Sequence, residues 1–264
     1  MSSKHNILTK KEFDSSELNP GLMEQIDLFL VNNPTINKED LQILDWGCGR
    51  GISVLKLLQK GYSAYGLDID HAVMKNGYDL FKTFGYVPEE RLMHLNDINL
   101  FKDNSFHVVF SEQVFEHVEE VEKVIRSQSG LLCKGGVGFH VFPASKMLME
   151  GHLRMPLVHW LPKNALRKIW ILLMMLVKMK PQKNWPEVAG KNFFQEAQVY
   201  YDYSISKTFY RDNRALKKLF NEFGFNAKFI SEKENGGIRN LLPDGLLKNG
   251  FPDQQVTFLV EKVS

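Results

Sequence analysis

A chain of 264 residues is long enough for one large core, or for one core with a modest accessory lobe. Its formal charge of +2, with charged residues of both signs mixed along the chain, presents no basic stripe and argues against a nucleic-acid partner. Two cysteines, Cys48 and Cys133, make neither a disulfide framework nor a zinc cluster and fit a reducing compartment.

Residues 1–19 lack the apolar core of a secretion signal and read as a polar arm, so the expected location is the cytoplasm. Residues 20–264 read as one domain. GLMEQIDLFLVNN places Leu22, Ile26, Phe29 and Leu30 on one helical face, and LQILDWG supplies a short buried strand. ISVLKLLQKG is helical with Gly61 as its stop, and YSAYGLDID is a second strand. A helix over 71–84, a short strand at RLMHLND, a strong strand at FHVVFSE, a helix over 117–132 and a strand at VGFHVFP continue the alternation. Regular βα alternation predicts an α/β fold, a parallel sheet with helices on both faces.

The rhythm breaks after Pro143. Residues 144–205 read as an inserted helical lid, with an apolar helix around 164–179. The longest apolar run, IWILLMMLV at 169–177, falls far short of the roughly 20 residues that span a bilayer. Order returns with RDNRALKKLFNEFGF, where Leu216, Leu219, Phe220 and Phe223 share a face. FNAKFISEK and QQVTFLVEKV follow as strands, joined by a Gly- and Pro-containing loop that allows antiparallel pairing.

The first strand runs into ILDWGCGRG, with glycines at 47, 49 and 51. A strand–glycine loop–helix unit places backbone N–H groups and a helix N-terminus at the carboxyl ends of the strands, where a ligand binds. A dinucleotide fingerprint, G-x-G-x-x-G counted from Gly47, fails at Ile52. Asp68 ends the second strand, close to the roughly 20-residue offset at which an acid reaches a ribose diol. Asp70 reads as the N-cap of the next helix.

The acid-x-G-x-G-x-G pattern resembles motif I of the class I S-adenosylmethionine-dependent methyltransferases, a Rossmann-like family with a seven-stranded, mostly parallel sheet. The resemblance implies cofactor-binding positions at Asp45, Gly47, Cys48, Gly49, Asp68, Ile69, Asp97 and Ile98. By it, Asp45 orients the loop and the amino end of the cofactor's methionine, and Gly47 and Gly49 permit close backbone approach. Asp68 would hold both ribose hydroxyls, and Asp97 would accept the adenine amino group with the Ile98 N–H beside it. These matches cover roughly residues 40–145, and the elements after 210 also fit; the insertion between them is unmatched.

Methyl transfer from a sulfonium is an in-line displacement on an activated carbon, so alignment and water exclusion matter most, and a hydroxyl acceptor adds the need for a base. The candidates are His117, in VFEHV beyond the fourth strand, and His152, which lies with His159 in EGHLRMPLVHWLPK inside the roofing insertion. His140 reads equally as core or as a substrate contact. SEQV stands where amino methyltransferases of DNA carry their Pro-Pro-aromatic tetrad, and Glu112 and Glu116 are spaced unlike the guanidinium clamp of arginine methyltransferases. LRKIWILLMMLVKMK suits either a buried lid helix or a membrane surface, with Met174, Met175 and Met179 as an adaptable apolar wall. The expected enzyme is metal-independent, with S-adenosylmethionine as cofactor. It methylates a small, hydrophobic or lipid-linked acceptor at oxygen or nitrogen, with peripheral membrane contact through 164–180. The competing readings are an NAD-dependent oxidoreductase and a non-catalytic cofactor-binding or membrane-surface subunit.

Overall fold

A computed structural model of the chain describes residues 7–181, 185–231 and 255–263. The start of the polar arm, residues 182–184 of the insertion and the loop joining the two terminal strands lie outside them. The strands are β1 (Gln42–Trp46), β2 (Ser63–Asp68), β3 (Leu92–His94), β4 (Phe106–Glu112), β5 (Leu132–Pro143), β6 (Phe225–Ser231) and β7 (Gln255–Lys262). They form one seven-stranded sheet in the order β3-β2-β1-β4-β5-β7-β6. The first five are parallel, while β7 runs antiparallel to both β5 and β6, so the sheet is mostly parallel as expected.

Alternation along β1 shows why both faces are covered. Ile43 joins one core with α2 (Pro20–Asn32) and α3 (Ile52–Gln59), whereas Leu44 and Trp46 join a second with α6 (Val121–Leu131) and α9 (Asn213–Glu222). Side chains on a strand point alternately to opposite faces, and a continuous apolar run is buried on both.

Three elements differ from the sequence reading. The polar arm carries a capped helix, α1 (Lys10–Ser15), which buries Phe13 in the first core, while the Leu8 N–H is donated to the Asn76 carbonyl at 2.8 Å. The helix expected over 71–84 is divided into α4 (His71–Lys75) and α5 (Tyr78–Thr83). The break falls at Gly77, where a Cβ would stand 2.0 Å from the Arg50 carbonyl oxygen, so the glycine loop and this corner touch backbone to backbone. The strand at RLMHLND shortens to Leu92–His94, and residues 95–100 coil into a 3-10 turn.

The insertion folds as a lid with its own core. In it α7 (Ala165–Leu176) and α8 (Phe193–Ser206) bury Ile171, Met175, Ala197 and Tyr200 with Leu153, Met155 and Val158 from the preceding loop. The end of α7 is a Schellman turn: Lys178 is left-handed at φ 62°, its N–H reaches Met175 and the Met179 N–H reaches Met174. Arg167 and Lys163 tie the lid together by donating to the carbonyls of Ser204, Ile205 and Thr208 at the end of α8, where a helix favours cations. Among the described residues no helix is long and apolar enough to cross a membrane.

Candidate active site

The loop after β1 is fastened to β2. Gly47 and Cys48 both donate their N–H to the Leu67 carbonyl, at 2.7 and 2.9 Å, and Gly49 donates to the Asp68 carboxylate at 2.7 Å. The other Asp68 oxygen accepts the Asp70 N–H at 2.8 Å. Asp70 in turn caps α4 through Ala72 and Val73, the role its position suggested. Gly47 is left-handed at φ 83°, and a Cβ there would meet Val114 Cγ2 at 2.4 Å. Only glycine serves a position with both restrictions.

Of the positions implied by the motif, Asp45, Gly47, Gly49 and Asp68 meet at the carboxyl ends of β1 and β2. The Cys48 thiol instead packs in the core against Gly66, and burial raises its pKa. Ile69 presents a side chain that is 75% exposed beside Asp68. Asp97 is exposed in the 3-10 turn after β3, and Ile98 leans on the second core. Burial pushes the Asp45 carboxyl well above the usual carboxylate range, and the negative charges of Glu112 and Asp68 push it further. Glu112 ends β4 and was not singled out as a crevice residue from sequence, although its place at the end of the strongest strand marks it. The crevice at these strand ends therefore concentrates three acids.

The turn after β4 leads from this crevice to the lid. Val114 packs on Gly47, and Glu116 follows two residues later, only 2% exposed. Neither Glu116 carboxyl oxygen has a hydrogen-bond partner, and burial raises its pKa to about 7. The two candidate bases meet here: the rings of His117 and His152 are 4.8 Å apart, edge to face. His117 Nδ1–H donates to the Lys207 carbonyl at 2.6 Å, which fixes its tautomer because a carbonyl only accepts. Burial lowers its pKa. His152 Nδ1 stands 2.9 Å from Glu150. Burial disfavours its imidazolium, but the Glu150 carboxylate outweighs that and raises the pKa.

Glu150 is buried yet held below the usual carboxylate range, because hydrogen bonds from His152, the Leu153 N–H and the Tyr210 hydroxyl outweigh its desolvation. Glu150 and Tyr210 were not identified as partners from sequence; the clue was the E-G-H spacing, which puts Glu150 two residues before His152. His140 belongs to the core: it is fully buried, bonded to Ser111 at 2.9 Å, and its pKa falls to about 3 through burial. A cavity of about 300 Å³ lies between the lid and the segment that follows α8, with walls that include His159, Lys163, Arg167, Tyr210 and Arg211.

Residues 44–139 match the family profile of a methyltransferase domain. No curated protein matches the sequence. Among solved structures, an S-adenosylmethionine-dependent methyltransferase from Mesorhizobium loti is similar, with a TM-score of 0.54 at 13% identity over 95% of this chain and 100% of that one. A second, from Methanosarcina mazei, has a TM-score of 0.55 at 18% identity over 94% of this chain and 99% of that one. Phosphoethanolamine N-methyltransferase 2 of Haemonchus contortus, solved with S-adenosyl-L-methionine, has a TM-score of 0.52 at 13% identity over 97% of this chain and 58% of its own. At such identities the likeness is one of fold. The family match contains the glycine loop, Asp68 and Asp97, so residues 44–139 carry a methyltransferase domain, set in a sheet whose fold is that of S-adenosylmethionine-dependent methyltransferases.

Proposed function

We propose that the acceptor is a small hydrophobic or lipid-linked molecule, methylated at oxygen or nitrogen between the strand ends and the lid. The observation that carries this reading is the outer face of α7. Leu166, Ile169, Leu173 and Leu176 form a stripe at helical spacing, each 46–66% exposed, while Ile171 and Met175 on the opposite face are buried. A lid helix that is apolar on both sides, with Lys178 and Lys180 exposed beyond its end, suits peripheral contact with a bilayer and entry of an apolar acceptor from it. The buried-lid and membrane-surface alternatives thus describe two faces of one helix.

The residues implied for the cofactor have environments that fit it. The bound cofactor supplies an activated methyl carbon and brings a positive charge, which the carboxylates at the ends of β2 and β4 attract. The pyrophosphate of a nicotinamide dinucleotide would be repelled by the same acids. Asp68 retains lone pairs for a ribose diol beyond the two it gives to Gly49 and Asp70. Ile69 offers an apolar surface to the adenine. On the acceptor side, lowered basicity keeps His117 neutral near pH 7, with Nε2 free of the Lys207 bond and able to take a proton. His152, oriented by Glu150, which raises its basicity instead, is the second proton-accepting group on this side.

The test is incubation of the full chain with cofactor labelled in its methyl group, against a total lipid extract and a water-soluble metabolite extract. Label in an apolar or lipid-linked compound is expected. Label confined to polar solutes would overturn the reading of the acceptor while leaving the enzyme class intact.

A further inference from the structure

Glu116, His117 and His152 each offer one ligating atom, and these atoms lie within 4.8 Å of one another. Two observations set this trio apart from an ordinary buried polar cluster. Glu116 is 2% exposed, and neither of its oxygens has a hydrogen-bond partner, although buried polar groups are almost always satisfied. Each histidine is also oriented through Nδ1, His117 by the Lys207 carbonyl at 2.6 Å and His152 by the Glu150 carboxylate at 2.9 Å. A carbonyl or carboxylate behind the ring is the outer contact that fixes metal-bound histidines, and it leaves Nε2 as the lone-pair donor. His117 Nε2 is 3.9 Å from the nearer Glu116 oxygen.

We infer that Glu116, His117 and His152 bind a divalent first-row transition-metal ion, with Glu150 as the positioning residue for His152. Two imidazoles and one carboxylate suit zinc, iron(II), cobalt or manganese, whereas magnesium and calcium prefer oxygen alone. Three protein ligands leave a position open, and the cavity between the lid and residues 208–211 adjoins it through Tyr210, which bonds Glu150 and lines that cavity. Ligands about 2.0–2.2 Å from a metal lie roughly 3–3.5 Å from each other. The wider spacing here, up to 4.8 Å, means that an ion draws the lid loop carrying His152 toward the turn carrying Glu116 and His117. The site would thus close the lid over the strand ends. It departs from the metal-independent enzyme expected from sequence and holds whichever acceptor is methylated; with the ion bound, the Nε2 lone pairs of His117 and His152 are ligands and no longer serve as bases.

The experiment uses the untagged full chain, stripped with a chelator and titrated with Zn²⁺ by calorimetry and with Co²⁺ by visible absorption. S-adenosylhomocysteine binding is measured alongside as a check of the fold. One ion per chain and cobalt bands of a low-coordinate nitrogen–oxygen site are expected. Glu116→Gln and His152→Ala should each weaken Zn²⁺ at least about a hundredfold, and Glu150→Gln about 10–100-fold, with S-adenosylhomocysteine affinity retained. If one ligand variant loses the nucleoside as well, the other decides. Absence of saturable binding at one ion per chain overturns the inference, as does Zn²⁺ affinity unaltered in a ligand variant that still binds the nucleoside.

Discussion

Gly49 gives its backbone N–H to the Asp68 carboxylate at 2.7 Å across 19 residues of sequence, so the glycine loop is already latched to the end of β2. The carboxylate that would receive the ribose is also the one that shapes the loop beneath the cofactor. Asp68→Ala should therefore weaken S-adenosylhomocysteine binding by about 1.5–3 kcal/mol, the range for hydrogen bonds to a charged group. Asp68→Asn, which keeps one acceptor oxygen, should lose less. Calorimetry checks both, and an alanine variant with unaltered affinity would contradict the role assigned to Asp68.

Gly47→Ala combines two faults, a left-handed backbone at φ 83° and a Cβ 2.4 Å from Val114. The backbone fault alone costs on the order of 1–3 kcal/mol. The double variant Gly47→Ala/Val114→Ala should regain the part due to contact and not the part due to φ. Thermal unfolding of the two variants, with Val114→Ala as reference, separates them; full recovery in the double variant would show that backbone strain contributes nothing.

The alternation of strand and helix, the glycine loop and the acid after β2 were legible because each depends on local spacing. Asp45, Gly47, Gly49 and Asp68 lie on one βαβ unit, and the distance along the chain largely sets the distance in space. What escaped depends on tertiary contact. The place of Gly77 depends on the Arg50 backbone lying against it, and Glu150 gains Tyr210 as a partner only through tertiary contact across 60 residues. The helix α8 had a readable start, since Asn192 and Gln195 form a capping box, but the aromatic residues that follow obscured its period. The Cys48 thiol, within the motif by position, turns into the core because the loop winds left-handed on either side of it.

His140 makes stability depend on pH. Buried between Phe115 and Phe220, it resists protonation to about pH 3, whereas in the unfolded chain it titrates near the ordinary 6.5. Between those values the unfolded state binds the extra proton, so stability falls as pH drops below about 6.5, by at most about 1.4 kcal/mol per pH unit. His140→Gln should flatten this part of the unfolding profile between pH 4 and 6.5. An unaltered slope in the variant would assign the pH dependence to other groups.

The two faces of α7 should respond differently to substitution. Ile169→Glu with Leu173→Glu alters only the exposed stripe and should leave the melting temperature within a few degrees while abolishing sedimentation with phospholipid vesicles. Met175→Ala, in the lid core, should cost about 2–5 kcal/mol of local packing. Vesicle binding that survives both glutamates would remove the membrane from the account.

The most direct measurement is a crystal structure with S-adenosylhomocysteine bound. The account predicts the ribose hydroxyls on Asp68, the adenine between Ile69 and the Asp97–Ile98 turn, and the homocysteine amino group toward Asp45. A nucleoside lying elsewhere, with the crevice at the ends of β1 and β2 filled by side chains, would contradict it.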